Sequence, residues 1–598
     1  MNSYKFIWKL ISSEEKRKLF FILVLIIGFS FIELLGVASV MPFLTILGSP
    51  EVIHENHWLS LSYRFFGFSS DKSFTVFIGI VICSIFILRA FYSTLVTYQR
   101  LVFSNEILRS TSKSLLEIYL SISFQDYLKK NSSIMMKNIT KEINVIRTTL
   151  LIFIEVIKEV CTFIAISLTL FFIEPSLTIV SGLAFVITFL VISKVTKSKL
   201  LVAGRDSEKS NRYVFKTGNE SIMGHKEIVL SQKHDYFVST FLKNLDVYIL
   251  ANIRVLMLRV VPTIAIEALF SVSIFGFIFY LMATKESLVE VLPILGVYAM
   301  AAQRVVPSLN KVNAGIAQLR SIRGGIEVLQ KEFELNSAEL KCHGMNDNIT
   351  LNERIKIKDV SFRFDGAETN ALDGVSLEIK KGQTVGIVGG SGSGKTTLVN
   401  TLIGLLKPDK GVIEVDGLQL DSFNYPHFQK NISYIPQSIF LIDDTILANI
   451  AFGVEEKEID YEKVREAIKS AQLEELVNSL PNGLNQNVGD MGNRISGGEK
   501  QRIGIARALY LDSEIIVLDE ATSALDNETE ARFQESVEKL SKDKTIIMIA
   551  HRISTIKNCD NVVVMENGKI VAQGSYEALK NSNEHFKKVS QSELRTEI

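Results

Sequence analysis

Gly389-Gly390-Ser391-Gly392-Ser393-Gly394-Lys395-Thr396-Thr397 stands between an apolar run, Thr384–Val388, and a helix-like run, Leu398–Leu406. Glycines let successive backbone N–H groups turn toward one anion, and the start of the following helix adds the positive end of its dipole. Lys395 is then placed to reach the β- and γ-phosphates of a nucleotide, and the Thr396 hydroxyl to bind Mg²⁺. A glycine/serine linker matches this pattern only rarely when a strand precedes it and a helix follows. The stretch predicts a nucleoside-triphosphate site at a strand-to-helix turn.

On either side of the loop, short β-rich runs alternate with helices, as in an α/β nucleotide-binding domain, with Ile355–Phe364 and Val375–Ile379 reading as strands. Phosphoryl transfer needs further groups, and the chain supplies them in order. Ile515–Glu520 is an apolar strand ending in two carboxylates: Asp519 is suited to Mg²⁺ and Glu520 to activating the attacking water. The Gln437 amide can touch both metal and water, and His551, after another apolar strand, can donate to the γ-phosphate. Phe364 offers a ring face to adenine, with a core aromatic as the competing reading. Ser496-Gly497-Gly498-Glu499 opens a helix running through Ala508 and forms a second anion site. One nucleotide does not need two cradles. A head-to-tail pair of identical chains, each Ser496 closing on the γ-phosphate held by the other, accounts for both.

The first half has another character. Hydrophobic residues make up 47% of 598, and Lys+Arg equals Asp+Glu at 65 each, without the basic excess of a nucleic-acid binder. Six segments approach the ~20 apolar residues of a membrane span: about Leu19–Leu47, Phe74–Val96, Leu150–Ile173, Leu177–Val195, Val260–Ala283 and Leu288–Ala302. Tyr4–Leu10 reads as an amphipathic surface helix ahead of them. Lysines and arginines crowd the connections between spans two and three and between four and five, which makes those connections cytoplasmic and puts both termini on the same side. Helical periodicity continues through both, so the spans are expected to project into the cytosol and turn at Ser121–Ser133 and Thr217–His225, tips suited to touch a cytosolic domain. The four cysteines lack metal or disulfide spacing. Among the ionisable residues inside spans, Arg89 and Arg304 suit an anionic cargo, with an intramembrane ion pair as the plain alternative.

Taken together, these motifs resemble the ATP-binding cassette (ABC) transporters: a Walker A loop at Gly389–Thr397, a Q-loop at Gln437, a signature at Ser496–Gln501, a Walker B strand at Ile515–Glu520, a D-loop at Ser523–Asp526 and a switch histidine at His551. One departure is Phe364, where the family usually has tyrosine. The resemblance implies an exporter-type half-transporter: a six-span helical domain (1–330), a linker (331–353) and an α/β P-loop ATPase cassette (354–598). It further implies ATP and Mg²⁺ as ligands, function as a homodimer, and a place in the cytoplasmic membrane with the cassette in the cytosol. The opening of the first span, Phe31–Phe43, and the settings of Arg89, Glu267 and Arg304 are similar to those of bacterial lipid-linked oligosaccharide flippases. That likeness implies that Arg89 and Arg304 engage a lipid diphosphate, although Thr263 stands where a further basic residue is expected. An exporter of peptides or hydrophobic drugs, and a membrane-anchored ATPase without transport, are the alternatives.

Overall fold

Ser12 starts the first long helix. Its hydroxyl accepts from Glu15 N while its own N–H donates to the Glu15 carboxylate at 2.7 Å, a reciprocal cap. In the computed structural model, which describes residues 2–284, 288–335, 349–421, 424–520, 544–550, 553–582 and 586, this helix is α2 (Ser13–Ala38), preceded by α1 (Asn2–Leu10). The expected amphipathic character of α1 is visible in its packing: Phe6 and Ile7 are buried while Trp8 faces out beneath the Lys16 ammonium. The first span is a broken helix. Pro42 has no N–H and crowds the carbonyl four residues back, so the chain steps at Ser39 before α3 (Val40–Gly48). Two short helices follow, α4 (Val52–Glu55) and α5 (His57–Phe65).

The remaining long helices are α6 (Asp71–Ser121), α9 (Ile143–Ile173), α10 (Pro175–Met223), α12 (His234–Thr284) and α13 (Leu288–Ser321). The 51 residues of α6 rise about 77 Å at ~1.5 Å each, more than twice the ~30 Å of a hydrocarbon core. Among the described residues, four stretches are long and apolar enough to cross a membrane: Ser13–Gly48, Asp71–Ser121, Ser132–Ile173 and His234–Ala265. The expected spans Leu177–Val195 and Leu288–Ala302 fall on α10 and α13, many of whose side chains there lie outside the described residues. Large apolar side chains form exposed rows at helical spacing, Phe20, Val24, Ile27 and Phe31 on α2, and Ile80, Ile87 and Phe91 on α6. Such stripes are untenable in water and suit contact with lipid.

The turn between α6 and α9 carries α7 (Phe124–Lys129) and α8 (Ser132–Lys137). The second break falls at Gly224, at the end of the expected Thr217–His225 stretch, and the turn runs on beyond it. Nothing breaks the helix until Gly224, and reversal is completed through α11 (His225–Ser231) and Gln232, whose φ of 54° lies in the left-handed region. After α13, α14 (Arg323–Leu335) carries Phe333, whose ring meets Phe6 of α1 at 5.6 Å. Helix therefore extends past residue 331, where the sequence placed a linker.

The chain divides into two units. One holds Met1–Ser121 and Asn131–Ala338; the other holds Glu339–Ile598 together with the tip segment Ile122–Lys130. In the second unit an antiparallel sheet has the order β2-β1-β4-β5, from β1 (Arg354–Phe362), β2 (Leu372–Lys380), β4 (Lys410–Val415) and β5 (Leu418–Gln419). A six-stranded sheet has the order β10-β9-β3-β8-β7-β6, from β3 (Thr384–Gly389), β6 (Ile432–Ile435), β7 (Ile515–Asp519), β8 (Thr545–Ile549), β9 (Asn561–Glu566) and β10 (Lys569–Gly574). It is parallel from β9 to β6, with β10 antiparallel at its edge. β7 and β8 are buried at every position, as their unbroken Ile/Val/Leu runs require. Alternate residues feed two cores: Ile516, Leu518, Ile546 and Met548 on one face, Ile515, Val517, Ile547 and Ile549 on the other. Phe124 of the tip segment packs against the second core, and Lys129 pairs with Asp365 at 2.7 Å.

Ile547→Ala, at a position with no exposure, is expected to destabilise this unit by about 2–5 kcal/mol. Val571→Ala on the exposed edge of β10 should stay within ~0.5 kcal/mol. Calorimetric scans of the purified full chain check both; equal effects would contradict the layer order.

Candidate nucleotide site and membrane charge cluster

The phosphate loop leaves the carboxyl end of β3, which lies between β8 and β9. Its glycines are required by space as well as by dihedral angle. A Cβ on Gly389 would sit 2.2 Å from the Met565 carbonyl oxygen of β9, and one on Gly394, at φ 101°, would sit 2.6 Å from that of Ala371. Lys395, the first residue of the helix Lys395–Leu402, folds back so that Nζ donates to the carbonyls of Gly389 and Gly390 at 2.9 and 3.0 Å. Burial holds its ammonium below the ordinary lysine value, with Glu520 and Asp519 pulling the other way. Ser393 Oγ is buried without a hydrogen-bond partner among the described residues, while Ser391, Gly392 and Thr396 are exposed at the mouth. An unpartnered buried hydroxyl beside a glycine turn and a lysine fits a triphosphate.

The carboxylates arrive from the neighbouring strands. β6 and β7 are paired in register, so Tyr434 reaches across and its hydroxyl donates to Asp519 Oδ2 at 3.1 Å. Burial and the Asp519 charge push the Tyr434 phenol up, keeping it a protonated donor. Gln437 Nε2 donates to Glu520 Oε2 at 2.6 Å, so the amide and the expected base are brought together. Glu520 has a φ of 51°, a left-handed conformation that costs a non-glycine residue of order 1 kcal/mol and marks functional positions. Neither the tyrosine bridge nor this backbone twist was visible in the motifs. Thr396, Gln437 and buried Asp519 are the oxygen donors that would hold Mg²⁺, a set that suits a hard cation.

Phe364 is 41% exposed and stands edge-on, at 88° and 4.9 Å, to the fully buried ring of Phe362. Phe362 is thus the core aromatic, and Phe364 keeps a face open. Ser496 caps the helix Gly497–Tyr510, its hydroxyl donating to Glu499 Oε2 at 2.7 Å. No hydrogen bond joins Ser496, Gly497 or Gly498 to the phosphate loop among the described residues. His551 and the Ser523–Asp526 stretch lie outside the described residues.

Residues 372–523 match the family model described as ABC transporter. Two relatives carry the name ATP-dependent lipid A-core flippase. One, from Francisella tularensis subsp. tularensis (strain FSC 198), is 34% identical over 68% of this chain and 66% of its own length. The other, from Saccharophagus degradans, is 40% identical over 47% of each. A solved bacterial Atm1-family ABC exporter with ATP bound superposes with a TM-score of 0.77 at 21% identity, over 95% of this chain and 98% of that one. The chain belongs to the ABC transporter family. The matched stretches span 66% of the first relative's length and 47% of the second's, and the structural likeness establishes an exporter-type fold, with a helical membrane domain joined to an ATPase cassette.

In this ABC transporter the ionisable groups of the membrane domain are grouped, not scattered. Glu33 of α2 is 2% exposed; its Oε1 forms an ion pair with Arg304 Nε of α13 at 3.2 Å and its Oε2 accepts from Arg89 Nε of α6. A second cluster joins α6, α9 and α13: Glu155 pairs with Arg100, Lys158 and Lys311, and Glu159 with Lys158 at 3.2 Å and Lys311 at 2.9 Å. Glu267 accepts from Asn310 Nδ2 at 2.8 Å. The two arginines singled out from sequence therefore meet on one carboxylate.

Gly394→Ala is expected to weaken ATP binding about tenfold or more, since ~1.4 kcal/mol of distortion suffices for that factor. Titration with a fluorescent ATP analogue reads it directly, and an unchanged affinity would rule out the cradle.

Proposed function

We propose that this chain works as a homodimeric, ATP-driven flippase that moves a polyprenyl-diphosphate-linked oligosaccharide, or a similar anionic glycolipid, outward across a bacterial cytoplasmic membrane. The observation that carries the cargo class is the convergence of Arg89 and Arg304 inside an apolar domain, two forked donors suited to phosphate. The relatives' name, which specifies a lipid as the molecule flipped, supports a lipid over a peptide or a drug. The cassette lies in the cytosol on this reading, as the basic connections require.

The cycle follows from the site. Loop N–H groups and Lys395 bind the β- and γ-phosphates, Phe364 stacks on adenine, and Ser496 of one chain closes on the nucleotide held by the other. Mg²⁺ bound by Thr396, Asp519 and Gln437 would neutralise phosphate charge. Tyr434 holds Asp519 in place, and Gln437 steers Glu520. Glu520 takes the proton of the attacking water as its oxygen bonds to the γ-phosphorus and the bond to ADP breaks. The tip segment Ile122–Lys130, anchored by Phe124 and Lys129 in the cassette unit and continuous with α6, transmits closure to the spans.

Glu520→Gln is expected to hold ATP in a stable dimer while hydrolysis falls by about a hundredfold or more; normal turnover in that variant would sink the assigned base. In proteoliposomes, transfer of a labelled polyprenyl-diphosphate glycan should be lost in Arg89→Ala and Arg304→Ala. Lipid A-core offered in parallel discriminates the cargo: transport of it in place of the diphosphate glycan would move the assignment to that lipid.

A further inference from the structure

Two guanidiniums and one carboxylate do not balance. Glu33, Arg89 and Arg304 come from three helices, and their charges sum to a single excess positive charge. A lone carboxylate in a membrane domain is costly, and a neighbouring arginine offsets that cost. Here Glu33 has two, each paired through Nε with a different carboxylate oxygen, Arg89 by a hydrogen bond and Arg304 as an ion pair. Among the described residues no hydrogen bond engages the terminal Nη groups of either arginine. Both side chains keep some exposure, 19% for Arg89 and 30% for Arg304, against 2% for Glu33. The second cluster carries the same single excess charge and differs only in its connectivity: there Glu155 and Glu159 share Lys158 and Lys311 between them, and Arg100 pairs with Glu155, an interlocked network of two carboxylates among three cations.

A carboxylate that bridges two guanidiniums by one oxygen each occupies the position an oxyanion of phosphate would take. We propose that Glu33 is the internal counter-anion of the cargo site, holding Arg89 and Arg304 while the site is empty and yielding them to a lipid diphosphate. This rests on the cargo reading above. A diphosphate brings more oxygens and more charge than one carboxylate and can use the outward Nη edges before displacing Glu33 from the Nε atoms. A neutral or singly charged lipid cannot make that exchange as readily, so Glu33 acts against the wrong cargo. It also assists release: once the diphosphate leaves, the arginines return to Glu33 and are not left as unpaired charges in a dry site. Glu33 is a positioning and selectivity residue, and it takes no part in ATP chemistry.

The test compares ATPase stimulation in nanodiscs by a polyprenyl diphosphate, the polyprenyl monophosphate and the neutral polyprenol. In Glu33→Gln the half-stimulating concentration of diphosphate should fall about fivefold or more, the maximal stimulated rate should also fall, and the monophosphate should begin to stimulate. Tighter binding joined to slower turnover is not what a misplaced helix produces. Glu33→Asp withdraws the carboxylate by one methylene and should shift the same way by less; it carries the test if the glutamine variant does not insert. A half-stimulating concentration that rises or stays put overturns the proposal. Arg89→Ala and Arg304→Ala separate the two levels of inference. Stimulation that survives both means the cargo reading itself fails. Stimulation lost in both, with Glu33→Gln behaving as the parent chain, removes only the counter-anion role.

Discussion

A parallel sheet covered on both faces leaves polar chemistry only one outlet, the carboxyl ends of its strands. In the cassette this constraint places every described catalytic group. β3 ends in the glycine turn, β7 ends in Asp519 and Glu520, and the segment after β6 delivers Gln437. Because β6 and β7 are neighbours in register, two contacts between them, Tyr434 to Asp519 and Gln437 to Glu520, set the orientation of both carboxylates. The close approach of Gly389 to the Met565 carbonyl ties the loop to β9 as well. The nucleotide site is thus a product of strand order, and little of its geometry is local.

The membrane domain obeys a complementary rule. Apolar rows face outward along α2 and α6, and the charges turn toward one another. Each cluster bridges helices far apart in the chain: Glu33 links α2, α6 and α13, and the Glu155–Glu159 network links α6, α9 and α13. With little hydrophobic preference between helices in lipid, such pairings are one of the few forces that specify which helices meet. α6 and α13 take part in both clusters, so any motion between them must be matched by exchange of ionic partners.

How much was legible in the sequence follows from this division. The strand before the loop, the loop, the helix after it and the signature cap are contiguous in sequence and were readable there, because apolar period, glycine and capping residues act over a few positions. Phe364 could be separated from the core only once Phe362 was seen to fill it. Arg89 and Arg304 were each visible as charges inside apolar runs, yet their meeting on Glu33 depends on helix packing across hundreds of residues. The step at Ser39 had a written cause in Pro42. The continuation of the second turn from Gly224 to Gln232 did not, since a left-handed glutamine carries no compositional mark. The left-handed Glu520 is hidden for the same reason.

The tip segment has a consequence for biosynthesis. Ile122–Lys130 belongs to the cassette unit, but the ribosome makes it long before the core against which Phe124 packs. Until the cassette core it packs against emerges and folds, this turn presents a phenylalanine with no core to enter. The unit therefore closes around a piece of chain already delivered by membrane insertion, and it cannot be completed by the C-terminal half alone. A chain with misinserted early spans would carry its defect into the cassette as an unfilled place against its core, a signal open to surveillance by proteases that recognise exposed apolar surface.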